Sequence, residues 1–427
     1  MMRTIRLKPL IYSVLIALLI IQVVLQSSFS VFQYYDEIIA LLCLGYIFVY
    51  SIQNKVKKYL VIDSLIVISI IAIGLICNMV FELQSSYKAI LIDIFNMFKA
   101  FVAFEAFYIK FENDSNQRLG QDILRYLNSF CIILMLPGFF LAIVNLFMDI
   151  HMHTEYVYGI RAFHYCFGRV GSLNAACVIC VIIMTGYLSF LKDKYRKIQL
   201  AFIVMMLLLM LSTLRSRTYF YVVLYILGYY YMIARKRSKI KMRYVIIIGV
   251  LGILVSFPKI EFYFSNETTA RSILLKYGIE TARTYFPLGS GFATYGTSAA
   301  KDFWSPLYNR YNFGNYYGLS QDWGAFLTDN YWPAILGQFG IIGMLLIVWL
   351  IYRVYKKCLK QTDLILKFGA LFGITCMAVS SLFSPAFFHF SAVEKMLMIA
   401  LLAVIKKEKG NEYEDTDIST ITKQDES

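Results

Sequence analysis

Apolar residues fall along this chain in long unbroken blocks, with polar residues confined to the connections between them. In hydrocarbon every backbone N–H and C=O must be paired within its own segment, so apolar runs of roughly 17–25 residues predict spanning helices. Twelve blocks stand at 9–26, 36–52, 60–80, 88–109, 125–147, 172–191, 198–213, 218–234, 244–257, 332–352, 364–383 and 390–405. Their length and lack of period-two alternation exclude an outer-membrane barrel. The pattern predicts an all-α, polytopic integral membrane protein with about twelve transmembrane helices and one large extracytoplasmic loop. Residues 1–257 hold nine helices with short loops, 258–330 the loop, 331–405 three more helices, and 406–427 a polar, disordered cytoplasmic tail.

Composition agrees: 59% of 427 residues are hydrophobic, 16% are charged, and the mean hydropathy is +0.62. The net charge of +14 does not imply a nucleic-acid partner, because the basic residues gather in alternate connections. These hold Arg3, Arg6 and Lys8; Lys55, Lys57 and Lys58; Lys110, Arg118 and Arg125; Lys192, Lys194, Arg196 and Lys197. The series goes on through the run at 235–243, then Arg353, Lys356, Lys357 and Lys360, then Lys406, Lys407 and Lys409. Under the positive-inside rule all face the cytoplasm, with both termini. The first block, with its basic start, reads as a retained signal anchor. The cysteines suggest no extracellular disulfide framework.

Charge inside a membrane block is a functional hypothesis by default. Asp93, Lys99 and Glu105 in the fourth block are six residues apart, about 240° of rotation per step, so they cannot line one pore face. They pair separately with neighbouring helices or, alternatively, form an ion relay. The connection at 148–171 offers Asp149, His151, His153 and Glu155 as metal ligands, but no second cluster completes a site, and a surface loop is the better reading. Arg169, just before Val170-Gly171-Ser172-Leu173-Asn174, can serve an anionic ligand or anchor at the interface. Arg215 and Arg217 form an outward turn against the topological bias, and their guanidinium forks suit phosphate oxygens.

The long polar stretch 258–330 balances its charges and contains seventeen aromatics, suited to interfacial packing or to stacking on sugar rings. The segment Asn266 to Tyr285 predicts a helix on the membrane surface with Asn266 as cap. Arg271 and Arg283 would stand about 18 Å apart along it and would meet only if it broke, Gly278 being the candidate break. Asp329 is the acid nearest the next helix, with Asn330 beside it; close to arginines it can be a base or a structural ion-pair partner.

The pattern Thr269-Ala-Arg271, then Tyr285-Phe-Pro287-Leu-Gly289-Ser-Gly291-Phe-Ala-Thr294-Tyr295, then Thr328-Asp329-Asn330-Tyr331 and Gly340-Ile-Ile-Gly343 resembles the bacterial O-antigen and capsule polymerases (Wzy type) and the related O-antigen ligases. Arg169 and the Leu214-to-Arg217 turn fit that layout. The resemblance implies a metal-independent, cofactor-free glycosyltransferase in a bacterial cytoplasmic membrane, working at its outer face. Its substrate would be an oligosaccharide on undecaprenyl pyrophosphate, its surroundings membrane lipid, and its partners a flippase and a chain-length regulator. The implied catalytic residues are Asp329, Arg271 and Arg215, with Arg169, Arg217, Arg283, Asn330 and Tyr295 binding pyrophosphate or substrate. Ligases of this kind carry His-Asn where this chain has Asp329-Asn330, which favours a polymerase; a ligase and a lipid-linked-sugar exporter are the alternatives.

Overall fold

The computed structural model describes residues 6–157, 159–237 and 269–406. The ninth block at 244–257, most of the basic run at 235–243, Asn266 and the tail from 407 lie outside them. The chain is mostly helical: α1 (Leu7–Ile20), α2 (Tyr35–Gln53), α3 (Lys58–Phe81), α4 (Tyr87–Glu112), α5 (Gln117–Phe147), α6 (Val170–Leu188), α7 (Asp193–Leu211), α8 (Ser216–Tyr229), α9 (Ala270–Thr284), α10 (Tyr331–Leu359), α11 (Leu364–Ser381) and α12 (Ser391–Val404). The all-α expectation misses one antiparallel hairpin, β1 (His153–Val157) with β2 (Ile160–Phe163), in what reads from sequence as a surface loop.

Six helical segments among the described residues are long and apolar enough to cross a membrane: Ser30–Gln53, α3, α5, α6, α10 and α11. The other described blocks are helical too but differ in length or charge. All fourteen residues of α12 are buried, and it spans only about 21 Å against a hydrocarbon core of about 30 Å. It packs along α4, whose Asp93, Lys99 and Glu105 lie within the apolar block, so both are interior helices enclosed by protein.

The charges of α4 go to three different partners, as their angular spacing requires. Asp93 accepts from the Ala293 N–H at 2.6 Å and from Gln338 at 3.0 Å. Lys99 pairs with Asp36 of α2 at 2.6 Å, and Glu105 with Lys357 of α10 at 2.6 Å. Lys357 also reaches Asp63 at 2.8 Å, and Arg353 holds the same carboxylate. Read from sequence as cytoplasmic topology markers, these two cations sit in the last turns of α10, where they also neutralise the acids of α3 and α4. A buried charge persists only when it is paired or hydrogen-bonded; Asp36, Asp63, Lys99, Glu105, Arg353 and Lys357 are ion-paired, and among the described residues Asp93 is held by hydrogen bonds alone.

Side-chain bonds define two ends of the bundle. At one, Arg6 meets Asp122, Lys57 meets Glu112, Ser189 meets Asp363, and Gln117 caps the Lys406 N–H. The described basic connections cluster there. The opposite end carries the hairpin, the α7–α8 turn, residues 269–330 and the α11–α12 link, joined by the Phe163 N–H to the Ser212 carbonyl and by Arg217 to Ser380 and Ser384.

Residues 269–330 fold over that end with a core of their own. Tyr295, Tyr308, Tyr311, Phe313, Leu319 and Leu327 are buried together against Ile273 and Leu274 of α9. Most of the aromatics therefore serve neither lipid nor sugar; they give this segment an interior. Helix α9 starts at a Thr269 cap, whose side chain accepts from the Ser272 N–H, and runs unbroken through Gly278. It lies along α10, and a Cβ on Gly278 would stand 2.9 Å from the Pro333 carbonyl, so close helix contact accounts for the glycine.

The glycine-rich turn 287–292 inserts into the bundle. Gly340, at φ 59° and ψ −162°, interrupts α10. The freed carbonyls of Gly337 and Gln338 accept from the N–H groups of Ser290 and Gly291 at 3.0 and 2.8 Å. Asn78 of α3 exchanges two bonds with the Phe292 backbone, at 3.0 and 2.7 Å, and Gln84 donates to the Ala293 carbonyl. A broken helix is tolerated at membrane depth only where its polar groups are satisfied again, and this turn satisfies them.

Candidate functional site

A cavity of about 490 Å³ opens at the end of the bundle away from the basic connections. Four helices begin at its wall. Arg169 is the N-cap of α6, followed by Gly171, Ser172 and Asn174; Arg215 is the N-cap of α8, followed by Ser216 and Arg217. Arg271 lies in the first turn of α9, and His389, Ser391 and Lys395 surround the start of α12. Each of these helices has fourteen or more residues. Unpaired N–H groups and the aligned peptide dipole make each such terminus a site of positive potential. To these the lining adds five basic side chains, Arg169, Arg215, Arg217, Arg271 and Lys395, against one carboxylate, Asp329; Lys395 also lies 3.5 Å from Glu394 behind the wall.

Local contacts fix the cations. The Arg217 guanidinium donates to Ser380 and Ser384, both at 3.0 Å, at the carbonyl-rich end of α11, and lies against Gly171 of α6. Arg215 reaches Glu155 of β1 at 3.5 Å, which ties the hairpin to the cavity rim. Arg271 stands 3.7 Å from Asp329, both side chains about a third exposed. Arg169 is exposed at the mouth and makes no ion pair among the described residues. Burial raises the pKa of Asp329 above the usual carboxylate range, and the charges of Arg271 and Arg215 oppose the rise. Asp329 is thus a carboxylate of raised basicity held beside cations.

His389 was not singled out from the sequence. Its Nδ1 accepts from the Ser391 N–H at 3.3 Å and lies 2.9 Å from the Ser391 hydroxyl. A backbone N–H can only donate, so the ring proton of the neutral imidazole resides on Nε2. Burial and the surrounding cations, Lys395 first, push its pKa down to about 3. The imidazole is therefore a neutral hydrogen-bond donor across the physiological range, not a base. His389, Glu394 and Lys395 sit within a few residues of an otherwise apolar run, and that rule-breaking charge was the available signal.

The structure brings together Arg169, Arg215, Arg217, Arg271 and Asp329, which are remote in sequence. It keeps three other candidates apart. Arg283 is exposed at the far end of α9, because that helix does not break at Gly278. Tyr295 is fully buried, its hydroxyl donating to the Leu274 carbonyl at 2.6 Å within the aromatic core. Asn330 turns its amide to the Arg271 carbonyl at 3.1 Å, which makes it a positioning residue for α9. Asp149 lies 3.3 Å from His153 and 3.8 Å from His151, but among the described residues no group of three or more His, Cys, Asp or Glu is placed to hold a metal ion. No protein-family model and no curated protein matches this chain.

Proposed function

We propose that this membrane protein is a polysaccharide repeat-unit polymerase, joining oligosaccharides carried on undecaprenyl pyrophosphate at the outer face of a bacterial cytoplasmic membrane. The observation that carries this reading is the convergence of four helix N-termini and five basic side chains on one cavity lined by a single carboxylate. Such a cavity suits a polyanion of pyrophosphate type, and its place opposite the basic connections supports an outer-face site under the positive-inside rule. Resemblance of the 269–343 motifs to the Wzy-type polymerases supplies the reaction class.

In this reading the acceptor sugar hydroxyl gives its proton to Asp329 while its oxygen bonds to the anomeric carbon of the donor. The bond from that carbon to the pyrophosphate oxygen breaks, and the electron pair leaves on pyrophosphate. Arg215, Arg217 and Arg271 stabilise the developing charge, the role in which fixed donors in a shielded site are worth most. Arg169 at the mouth receives the anion, and His389 donates from Nε2 to an oxygen of the same group. Separate pairing of the α4 charges removes one support for an exporter, which needs a polar path through the bundle.

The test is the size profile of lipid-linked and surface glycan in cells lacking the protein, complemented with wild type or Arg271→Ala. Single repeat units accumulating on lipid at the outer face are expected in both defective strains. Long polymer left on lipid without transfer would make the protein a ligase; repeats trapped inside would make it an exporter; a normal ladder with Arg271→Ala would overturn the site.

A further inference from the structure

A second cavity, of about 590 Å³, opens on the opposite half of the bundle between α1, α2, α4 and the start of α5. Its volume is that of a small-molecule site. The walls are almost wholly apolar, with Leu15, Ile16, Ile39 and Phe107 along the floor and Ile11 and Leu42 exposed at the rim. Lys8 and Lys110 stand on it.

Lys110 is the informative residue. It is half-buried near the end of α4, its ammonium 4.4 Å from the centre of the Tyr12 ring and 5.2 Å from that of Tyr46, and it donates to the Tyr12 hydroxyl. The nearby acids are engaged elsewhere, Asp122 by Arg6 and Glu112 by Lys57. Among the described residues neither Lys8 nor Lys110 takes part in an ion pair. Two lysines at one end of an apolar groove, with no carboxylate among its described lining residues, complement a molecule with an anionic head and a hydrocarbon tail.

We infer that this groove is a binding site for one anionic phospholipid of the leaflet next to the basic connections. Its phosphate sits between Lys8 and Lys110, and an acyl chain lies along Leu15 and Ile16. The site is separate from the arginine cavity and stands whether or not the polymerase reading holds. Occupied, it cements α1 to α2 and α4.

The test uses the full-length protein, purified in mild detergent and examined by native mass spectrometry after exchange into bilayers of phosphatidylglycerol or phosphatidylcholine. One retained phosphatidylglycerol per chain is expected. Lys8→Ala with Lys110→Ala should lower its occupancy about tenfold or more, while Lys110→Arg retains it. Leu15→Trp, which fills the groove and leaves both lysines in place, should lose the lipid too, so the effect does not rest on one variant's folding. Equal retention of phosphatidylcholine, or retention unchanged in both groove variants, overturns the inference. So does a dimer lost on Leu15→Trp, since a second copy would then occupy the groove.

Discussion

The pair Arg271–Asp329 yields the sharpest test of the proposed chemistry. A base must be ionised to work, so activity falls as pH drops through the Asp329 pKa, already raised by burial. Arg271 opposes that rise, so Arg271→Ala should raise the pKa further and move the acid limb of the pH–rate profile to higher pH. The charges are 3.7 Å apart. At such a separation the attraction is about 1 kcal/mol in water and about 4 kcal/mol at an effective dielectric of 20. Because both groups are about a third exposed, solvent screening favours the lower part of that range, roughly 1–2 kcal/mol, or about one pH unit. The assay is single-turnover glycan transfer in proteoliposomes at saturating lipid-linked donor, each variant normalised to its own plateau. Removing Arg271 also lowers the plateau, but normalisation separates that loss from the shift of the limb. An acid limb at the same pH in wild type, Arg271→Ala and Asp329→Asn would refute Asp329 as the base.

Arg217→Lys keeps the charge but loses the fork on Ser380 and Ser384; transfer should fall about tenfold or more by the usual worth of charged hydrogen bonds, whereas exposed Arg283→Ala should leave initial rates near wild type. Lys357→Met leaves Glu105 and Asp63 facing each other without their shared cation, which should cost about 3–5 kcal/mol and show as a lower melting temperature in detergent; added Glu105→Gln should restore part of it. At Gly340 a Cβ would lie 2.1 Å from the Pro287 carbonyl, and the backbone there is left-handed, a conformation costing other residues about 1–3 kcal/mol. Gly340→Ala should therefore release the 287–292 turn, detected as new protease cleavage within 285–330, and intact resistance would count against that turn's anchoring role.

The glycine turn and Gly340 stand out in the sequence as a motif, and a motif in a polar stretch suggests chemistry. Their geometry is instead that of an anchor: the turn supplies donors to carbonyls that the broken α10 leaves open, and so holds α9 with Arg271 over the cavity. His389 and Lys395 show the reverse error. Lys395 hides within, and His389 just before, an apolar block that reads as one more span; the helix there is short and buried, and its start faces the cavity.

Sequence alone determined what hydrocarbon imposes: long apolar helices, connections sorted by charge, and Asp93, Lys99 and Glu105, which their spacing forbids from sharing a face. It also offered Arg169, Arg215, Arg217, Arg271 and Asp329 one at a time, each unusual where it stands. Their convergence was a tertiary decision, because residues far apart in the chain meet only when α6, α8, α9 and α12 start at the same wall. Tertiary packing likewise decided that Arg353 and Lys357 would neutralise buried acids, and that most aromatics of 269–330 would form an interior. Local pattern records the cost of placing a residue in water or lipid; which neighbour repays that cost depends on contacts between distant segments.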